Sequence, residues 1–410
     1  MTEYIDRLVD SQLAQILQAQ SAVMVTGVRA CGKSTTASRY ASSVASLDQP
    51  RVAQAFEADP DVALGSMQEP ALVDEWQLVP AILGAVKRAV DSDSGRGRFI
   101  VTGSTAGSAR GPQWPATGRL VDVTMYPLTV RELKGRLLAP SLAERLLSQV
   151  ELQPSGEGED LGDYIDWALQ GGFPEAALRL EGQDRVDWLQ AYVRRLITRD
   201  IPEGAGGRDP EALSRFFQGL CLNSAGVVQD TTLSSVSGVS LMTARAYDAI
   251  LRNVLVESHI PAWFTNRLSR LTKSPKRYLC DTSLMCASIG ATRSTILQDG
   301  DLLGRVIETF VVAQLRAELS ASMPGARMYH LRTQEGRQEI DVVIEYDAFR
   351  VAAIEIKASA TPTVRDARHL IWLREQLGDR FVGGVVLHTG PQTINLAENI
   401  VAAPISTLWQ

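Results

Sequence analysis

The chain has 410 residues, of which 45% are hydrophobic and 21% charged, a globular composition that excludes a disordered or fibrous protein and allows about two to four domains. Lys plus Arg total 41 against 47 Asp plus Glu, a net charge of −6, so no global basic field draws the protein onto nucleic acid or anionic lipid. Any nucleic-acid contact must be local.

The segment from Tyr4 through Leu13 and Leu17 spaces its apolar residues by three and four, which predicts an amphipathic helix. Ala22-Val23-Met24-Val25-Thr26, Ala71-Leu72-Val73 and Phe99-Ile100-Val101-Thr102 are short apolar runs ending in glycine or carboxylates. They read as buried parallel strands separated by helices. A helical run is expected from Thr35 to Val44. From Pro127 the pattern turns helical, with helices at Thr129–Leu133, Leu142–Val150, Tyr164–Leu169 and Val186–Thr198, interrupted by an acidic loop at Pro154–Asp160. Gly204-Ala205-Gly206-Gly207 marks a boundary. Helices of modest length and a hairpin around Tyr278 follow. After Asp301 come one helix, strands at Arg327–Leu331, Glu339–Glu345 and Val351–Ile356, a helix at Val364–Leu377 and a final strand at Gly384–Leu387.

Cys31, Cys221, Cys280 and Cys286 form no C-x-x-C pair, and His259, His330, His369 and His388 are equally dispersed, which excludes a disulfide framework or zinc ribbon. No stretch approaches the about 18 to 20 apolar residues of a membrane helix. Glu3, Asp6, Arg7 and Asp10 stand where a signal peptide needs an apolar run. A soluble, cytoplasmic protein without a membrane segment is expected.

Gly27-Val28-Arg29-Ala30-Cys31-Gly32-Lys33-Ser34 is a complete G-x-x-x-x-G-K-[ST] between a strand and a helix. The glycines let backbone N–H groups wrap phosphates, Lys33 neutralises the β and γ phosphates of ATP, and Ser34 joins the Mg²⁺ shell. Thr35 opens the following helix and completes the nucleotide-binding set. Asp74 and Glu75 end a buried strand, at the carboxyl edge where open α/β sheets bind ligands. As a Walker B pair, Asp74 would hold Mg²⁺ and Glu75 would act on the attacking water. An acidic helix start is the alternative. Glu75 favours water over the hydroxyl acceptor of a small-molecule kinase. Thr102-Gly103-Ser104 could bring a hydroxyl to the γ-phosphate or lytic water, or simply end a strand.

On the Walker A octet, Val73-Asp74-Glu75-Trp76-Gln77, Thr102-Gly103-Ser104, Gly118-Arg119 before Tyr126-Pro127-Leu128, Gly171-Gly172-Phe173-Pro174 and Thr198-Arg199-Asp200, the chain resembles AAA-type ATPases that end in a PD-(D/E)XK nuclease-like domain. The resemblance implies a multidomain α/β protein: a P-loop core at 1–130, a helical lid at 131–205, a winged-helix-like domain at 206–298 and the nuclease-like domain at 299–410. It further implies that Thr102 or Ser104 is a polar sensor. Arg119 and Arg199 would sense nucleotide or, as arginine fingers, reach a neighbouring copy in a homo-oligomer; a structural salt bridge is the alternative for each. Cys31 departs from the small residue usual in relatives and puts a thiol beside the phosphates, which predicts sensitivity to thiol reagents.

The C-terminal region carries Glu308 on a helix, Asp341 at the start of an apolar strand, and Glu355-Ile356-Lys357 at the end of the next. Alternation places Glu355 and Lys357 on one face. In a metal nuclease Glu308, Asp341 and Glu355 would hold Mg²⁺, and Lys357 would stabilise hydroxide or the charge on phosphorus. The order is similar to the restriction-endonuclease core and to archaeal Holliday-junction resolvases. A solvated polar face with Glu355 paired to Lys357 is the alternative. Thr231–Ser237 and Ser240–Leu251 read as a helix-turn-helix with Arg245 in the groove. Arg267, Arg270, Lys273, Lys276 and Arg277 follow as a basic wing for DNA, with docking to protein as the alternative. The combined expectation is an ATPase coupled to a nucleic-acid transaction with Mg²⁺-dependent cleavage; the alternative is a nucleotide-gated regulator, linked to signalling, defence or a toxin, whose nuclease-like domain cuts nothing.

Overall fold

A computed structural model describes residues 4–104, 118–150, 152, 158–200, 209–266, 270, 273–333 and 336–410. The chain divides into two compact units, the first ending at Leu128 and including Leu251–Val256, the second formed by Thr129–Ile250 and Glu257–Gln410. The Gly204–Gly207 boundary, Pro154–Glu157 of the acidic loop, Arg267 and the side chain of Arg199 lie outside the described residues.

The first unit is a parallel sheet of β1 (Ala22–Gly27), β2 (Ser43–Ser46), β3 (Ala71–Asp74), β4 (Phe99–Gly103) and β5 (Val121–Met125) in the order β2-β3-β4-β1-β5. The three expected strands are the central three. Each is buried along its whole length, as parallel strands are when both faces are covered. The two strands not anticipated are the edges, Ser-Val-Ala-Ser and Val-Asp-Val-Thr-Met, and both are partly exposed. An edge strand buries less apolar surface, so its sequence carries less of the signal. The helix expected from Thr35 to Val44 ends at Ser38, because Ser43–Ser46 pairs with β3 instead. The core gathers Met24, Leu47, Phe56, Val73, Trp76, Ile82, Val86 and Phe99.

β4 separates β1 from β3, so the P-loop and the Asp74-Glu75 strand end lie on either side of Thr102–Ser104 at one sheet edge. The register also places Arg119. Val121 pairs with Val23 at the opposite, amino end of β1, about 16 Å along the strand direction from the P-loop at 3.3 Å per residue.

In the second unit, helices Pro210–Leu222 and Asp230–Ser237 and the part of helix Leu241–Asn253 up to Ile250 precede a hairpin of β6 (Glu257–Ile260) and β7 (Lys276–Leu279). Helix Gly300–Ser322 leads into a mixed sheet of β8 (Arg327–Arg332), β9 (Glu339–Glu345), β10 (Val351–Ile356), β11 (Phe381–His388), β12 (Ile394–Ala397) and β13 (Ile400–Pro404), ordered β12-β13-β11-β10-β9-β8. β12 and β13 were not anticipated: the first is a mostly exposed edge and the second is alanine-rich and ends in proline. Helix Arg368–Leu377 begins four residues later than expected at Val364 and packs on β9, β10 and β11 through Leu370, Leu373 and Leu377. Just past β6, Trp263 N–H donates to the carbonyl of His330 and His330 N–H to that of Pro261, so this segment pairs with β8. Among the described residues no helix is long and apolar enough to cross a membrane.

The helix starting at Thr129 carries a capping box with Glu132, which satisfies two terminal N–H groups. It also delivers Arg131, whose side chain is 2% exposed, to Glu318, 3% exposed, on helix Gly300–Ser322, with Nη1 3.7 Å from Oε1. Burial pushes the Glu318 carboxyl up to about 7. Removing one partner of such a pair leaves a buried charge unbalanced. Arg131→Met should lower unfolding free energy by roughly 3 to 5 kcal/mol in denaturant titrations, and Arg131→Met/Glu318→Leu should recover most of that loss.

Candidate functional site

The P-loop closes around its own backbone. Ala30 and Gly32 adopt left-handed φ values of 62° and 99°, which turn successive amides inward. A side chain at Gly27 would put its Cβ 2.3 Å from the Met125 carbonyl oxygen, so only glycine lets β1 run this close to β5. Lys33 is buried, and its ammonium donates to the carbonyls of Gly27 at 3.0 Å and Val28 at 3.1 Å. Arg29, Ala30 and Thr35 are exposed.

The N-terminal segment braces this loop. Arg7 donates to the carbonyls of Cys31 at 2.9 Å and Tyr126 at 2.7 Å, and the Tyr4 hydroxyl donates to Asp10 and accepts from Thr36 at 3.1 Å. Tyr40 also donates to Asp10. Amphipathic spacing in the sequence announced a packed helix but not this polar clamp. Cys31 is fully buried with Sγ 3.6 Å from the Met125 carbonyl, which corrects the expectation of a reactive thiol beside the phosphates. All four cysteines are buried.

Asp74 Oδ1 accepts from Ser34 Oγ at 2.8 Å and from Thr102 Oγ1. Thr102 thus orients the Asp74 carboxylate, a duty distinct from the nucleotide sensing expected of it. Glu75 sits in the left-handed region at φ 60°, ψ 48°, a conformation that costs a non-glycine residue roughly 1 to 2 kcal/mol and gathers at functional sites. It turns the Glu75 carboxylate to accept from Ser104 Oγ at 3.2 Å and from Gln77 Nε2. Trp76 packs on Gly103, where a Cβ would meet its Nε1 at 2.4 Å. The four oxygen-bearing side chains, Ser34, Asp74, Glu75 and Ser104, therefore converge on one sheet edge. Gln77 was present in the sequence motif without a role; it holds Glu75.

Arg119 departs from expectation. It pairs with Asp91 near the end of helix Ile82–Ser92, at the amino edge of the sheet, so it takes no part in this unit's phosphate site. Gly172 of the Gly171–Pro174 motif donates its N–H to Asp281 Oδ2 at 2.7 Å, and Phe173 packs against Trp188 and Tyr192 with tilted ring planes. Packing accounts for that motif.

In the second unit, Glu308, Asp341 and Glu355 do come together, and all are largely buried. The surprise is their companion. β7 points Lys276 and Tyr278 to one face: Lys276 Nζ lies 2.9 Å from Glu308 Oε1, 2.9 Å from Asp341 Oδ1 and 3.8 Å from Glu339 Oε1, while the Tyr278 hydroxyl donates to Glu308. Ile356 N–H donates to Asp341 Oδ2 at 2.9 Å, and Lys357 Nζ pairs with Glu355 Oε1 at 2.6 Å. Burial and then Asp341 push the carboxyls of Glu308 up to about 7 and of Glu355 up to about 8. Burial works against the Lys276 ammonium, but Asp341 and then Glu308 hold it protonated well above the ordinary lysine range. Tyr278 is likewise held protonated by burial.

The basic wing is corrected by the same strand. Arg277 turns to the other face and is buried against Asp230, Asp248 and Glu257. Arg270 is buried on Glu345, which also accepts from Trp263 at 3.0 Å. Arg245 bonds Asp230 at 2.9 Å. Lys273 is exposed, beside the Phe264 ring. The segment lacks acidic residues of its own because its partners come from elsewhere in the chain.

Residues 19–134 match the family model described as "AAA domain". The N-terminal part is thus similar to AAA domains over the segment that carries the P-loop and the Asp74-Glu75 strand end. Residues 161–295 and 303–408 match two models described only as domains of unknown function, DUF8612 and DUF4143. The chain is 27% identical over 401 residues to uncharacterized proteins of Mycobacterium tuberculosis and Mycobacterium bovis, covering 96% of this chain and 82% of theirs. A solved structure, the Walker-type ATPase PABY2304 of Pyrococcus abyssi, aligns with a TM-score of 0.40 and 12% identity over 70% of this chain and 96% of its own.

If Gln77 only orients Glu75, Gln77→Ala should cut the nucleotide turnover rate by about tenfold or more while nucleotide affinity, measured by equilibrium fluorescence titration, stays within about threefold. Thiol titration of the folded protein should find no rapidly reacting cysteine, and denaturant should expose all four.

Proposed function

We propose that the protein is an ATP-hydrolysing switch whose second unit engages a macromolecular partner and cleaves no nucleic acid. The observation that carries the first half is the placement of Glu75 beyond Asp74, held by Gln77 and Ser104 while Asp74 is bonded to Ser34. Ser34 and Asp74 offer a hydroxyl and a carboxylate, the hard oxygen donors that suit Mg²⁺, which would neutralise phosphate charge there. Lys33 is at hand for the β and γ phosphates once it releases the loop carbonyls. Glu75, braced from two sides, is placed to orient a water and accept its proton.

The second half rests on what the expected nuclease residues do instead. Glu308 and Asp341 share Lys276, and Glu355 pairs with Lys357, the arrangement of a structural ion-pair network. Three of the cations on which DNA binding was expected to rely, Arg270, Lys276 and Arg277, are buried in such pairs. This favours the nucleotide-gated regulator over the nuclease.

Glu75→Gln should bind ATP with affinity within about threefold of wild type and hydrolyse it at least a hundredfold more slowly, a loss typical of a removed general base. Lys33→Ala should lose most nucleotide binding. Supercoiled and branched DNA should survive incubation with Mg²⁺ or Mn²⁺, with and without ATP. Nicking by wild type that disappears in Glu355→Ala would restore the nuclease reading.

A further inference from the structure

We infer that Lys276 is a tethered counter-ion that holds the place a divalent cation would take among Glu308, Asp341 and Glu355, making that carboxylate cluster independent of metal. This rests on the reading of the second unit as non-cleaving and gives it a physical cause. A Mg²⁺ ion needs about six oxygen ligands at about 2.0 to 2.1 Å. Here the nearest oxygens of Glu308 and Asp341 converge instead on an ammonium nitrogen, 2.9 Å from each. The other Asp341 oxygen is taken by Ile356 N–H, and the Tyr278 hydroxyl donates to the same Glu308 oxygen that Lys276 binds. Glu355 has given one oxygen to Lys357; its Oε2 alone is buried without a hydrogen-bond partner. Two carboxylate oxygens, Glu308 Oε2 and Glu355 Oε2, receive none of these bonds, and they would have to hold a Mg²⁺ ion beside a fixed positive charge. A dication seated there would also lie against a buried ammonium that has nowhere to go: Lys276 is 3% exposed.

Strand geometry fixes that ammonium. On β7, Lys276 and Tyr278 share a face and both bond Glu308, while Arg277, on the opposite face, is pinned by Asp230 and Asp248. β6 and β7 pair in register from Glu257↔Leu279 to Ile260↔Lys276. Moving the strand that carries Lys276 would therefore mean breaking ion pairs on both of its faces. The carboxylates thus keep a cation of fixed position, supplied by the chain.

The two possibilities predict opposite signs. Carboxylates awaiting a metal repel one another, so removing one should stabilise the metal-free protein. Carboxylates bound to a buried lysine leave it uncompensated when one is removed. With EDTA present, Asp341→Asn should lower Tm by roughly 5 °C or more, and Lys276→Met/Asp341→Asn should recover most of that shift. Titration of Mn²⁺ followed by its electron-paramagnetic-resonance signal should find no ion bound by nucleotide-free wild type that Asp341→Asn abolishes. Should Asp341→Asn fail to fold, Asp74→Asn/His259→Ala suffices, since it also removes the ligand group of Asp248, Glu257 and His259: no Mn²⁺ should remain bound at millimolar concentration. A rise in Tm for Asp341→Asn, or an Mn²⁺ that survives Asp74→Asn/His259→Ala, would overturn the inference. Either result would leave the ATPase reading intact, and DNA nicking would instead overturn the reading of the second unit as non-cleaving.

Discussion

A carboxylate taken out of water must be matched by a cation, a proton or several hydrogen bonds, and the second unit is organised by that requirement. Glu318 lies against Arg131, Glu345 against Arg270, Asp248 and Glu257 against Arg277, and Glu308 and Asp341 against Lys276. Each pair ties elements far apart in sequence: Arg131 reaches the long helix before β8, Arg270 reaches β9, and Lys276 reaches both. Breaking one side of any pair is costly, so together they define which packing of helices, hairpin and sheet is allowed. Such pairs select a structure more than they deepen its stability, because desolvating both partners consumes most of their attraction.

The nucleotide site follows the opposite rule. Asp74 is held by the hydroxyls of Ser34 and Thr102, and Glu75 by the hydroxyl of Ser104 and the amide of Gln77. Neutral donors fix a carboxylate in direction without spending its charge. That leaves Asp74 able to attract a cation and Glu75 able to accept a proton, which an adjacent lysine or arginine would suppress. The P-loop cation, Lys33, is turned onto the carbonyls of Gly27 and Val28. Within this one chain, then, some carboxylates are held by neutral donors and others by cations, and the proposed roles in nucleotide chemistry and in architecture follow that contrast.

What could be read from the sequence follows the same division. The P-loop is contiguous, and the strand ends at Asp74 and Ser104 are bounded by unmistakable apolar runs, so the side chains that converge at this sheet edge were legible one by one. Its edge strands were not, since half-exposed strands such as Ser43–Ser46 lack the run of apolar residues that marks a buried one. The bracing by Arg7 was invisible because it acts on carbonyl oxygens, which every residue type offers. In the C-terminal region, alternation correctly put Glu355 beside Lys357, and the order helix, hairpin, strand gathered Glu308, Asp341 and Glu355. The occupant of their midst lies 65 residues before Asp341 and 32 before Glu308, in a stretch whose many cations and absent acids looked like a surface for phosphates.

That error has a general physical content. A run of basic residues without acidic neighbours reports only that their partners are not local; those partners are equally well phosphates of a ligand or carboxylates from another part of the fold. Strand periodicity adds a second ambiguity, because consecutive residues such as Lys276 and Arg277 point to opposite faces and cannot form one patch unless the strand is exposed on both. Here β7 is buried along its length, so each cation had to find an acid on its own side, Glu308 and Asp341 for one, Asp230 and Asp248 for the other. The same reasoning applies to the carboxylate pattern. Glu308, Asp341, Glu355 and Lys357 retain the residue types of a metal nuclease, yet residue types constrain only what could bind. Whether a metal does bind is set by the rest of the neighbourhood, and in this chain that neighbourhood includes a lysine from outside the pattern, already bonded to two of its three acids.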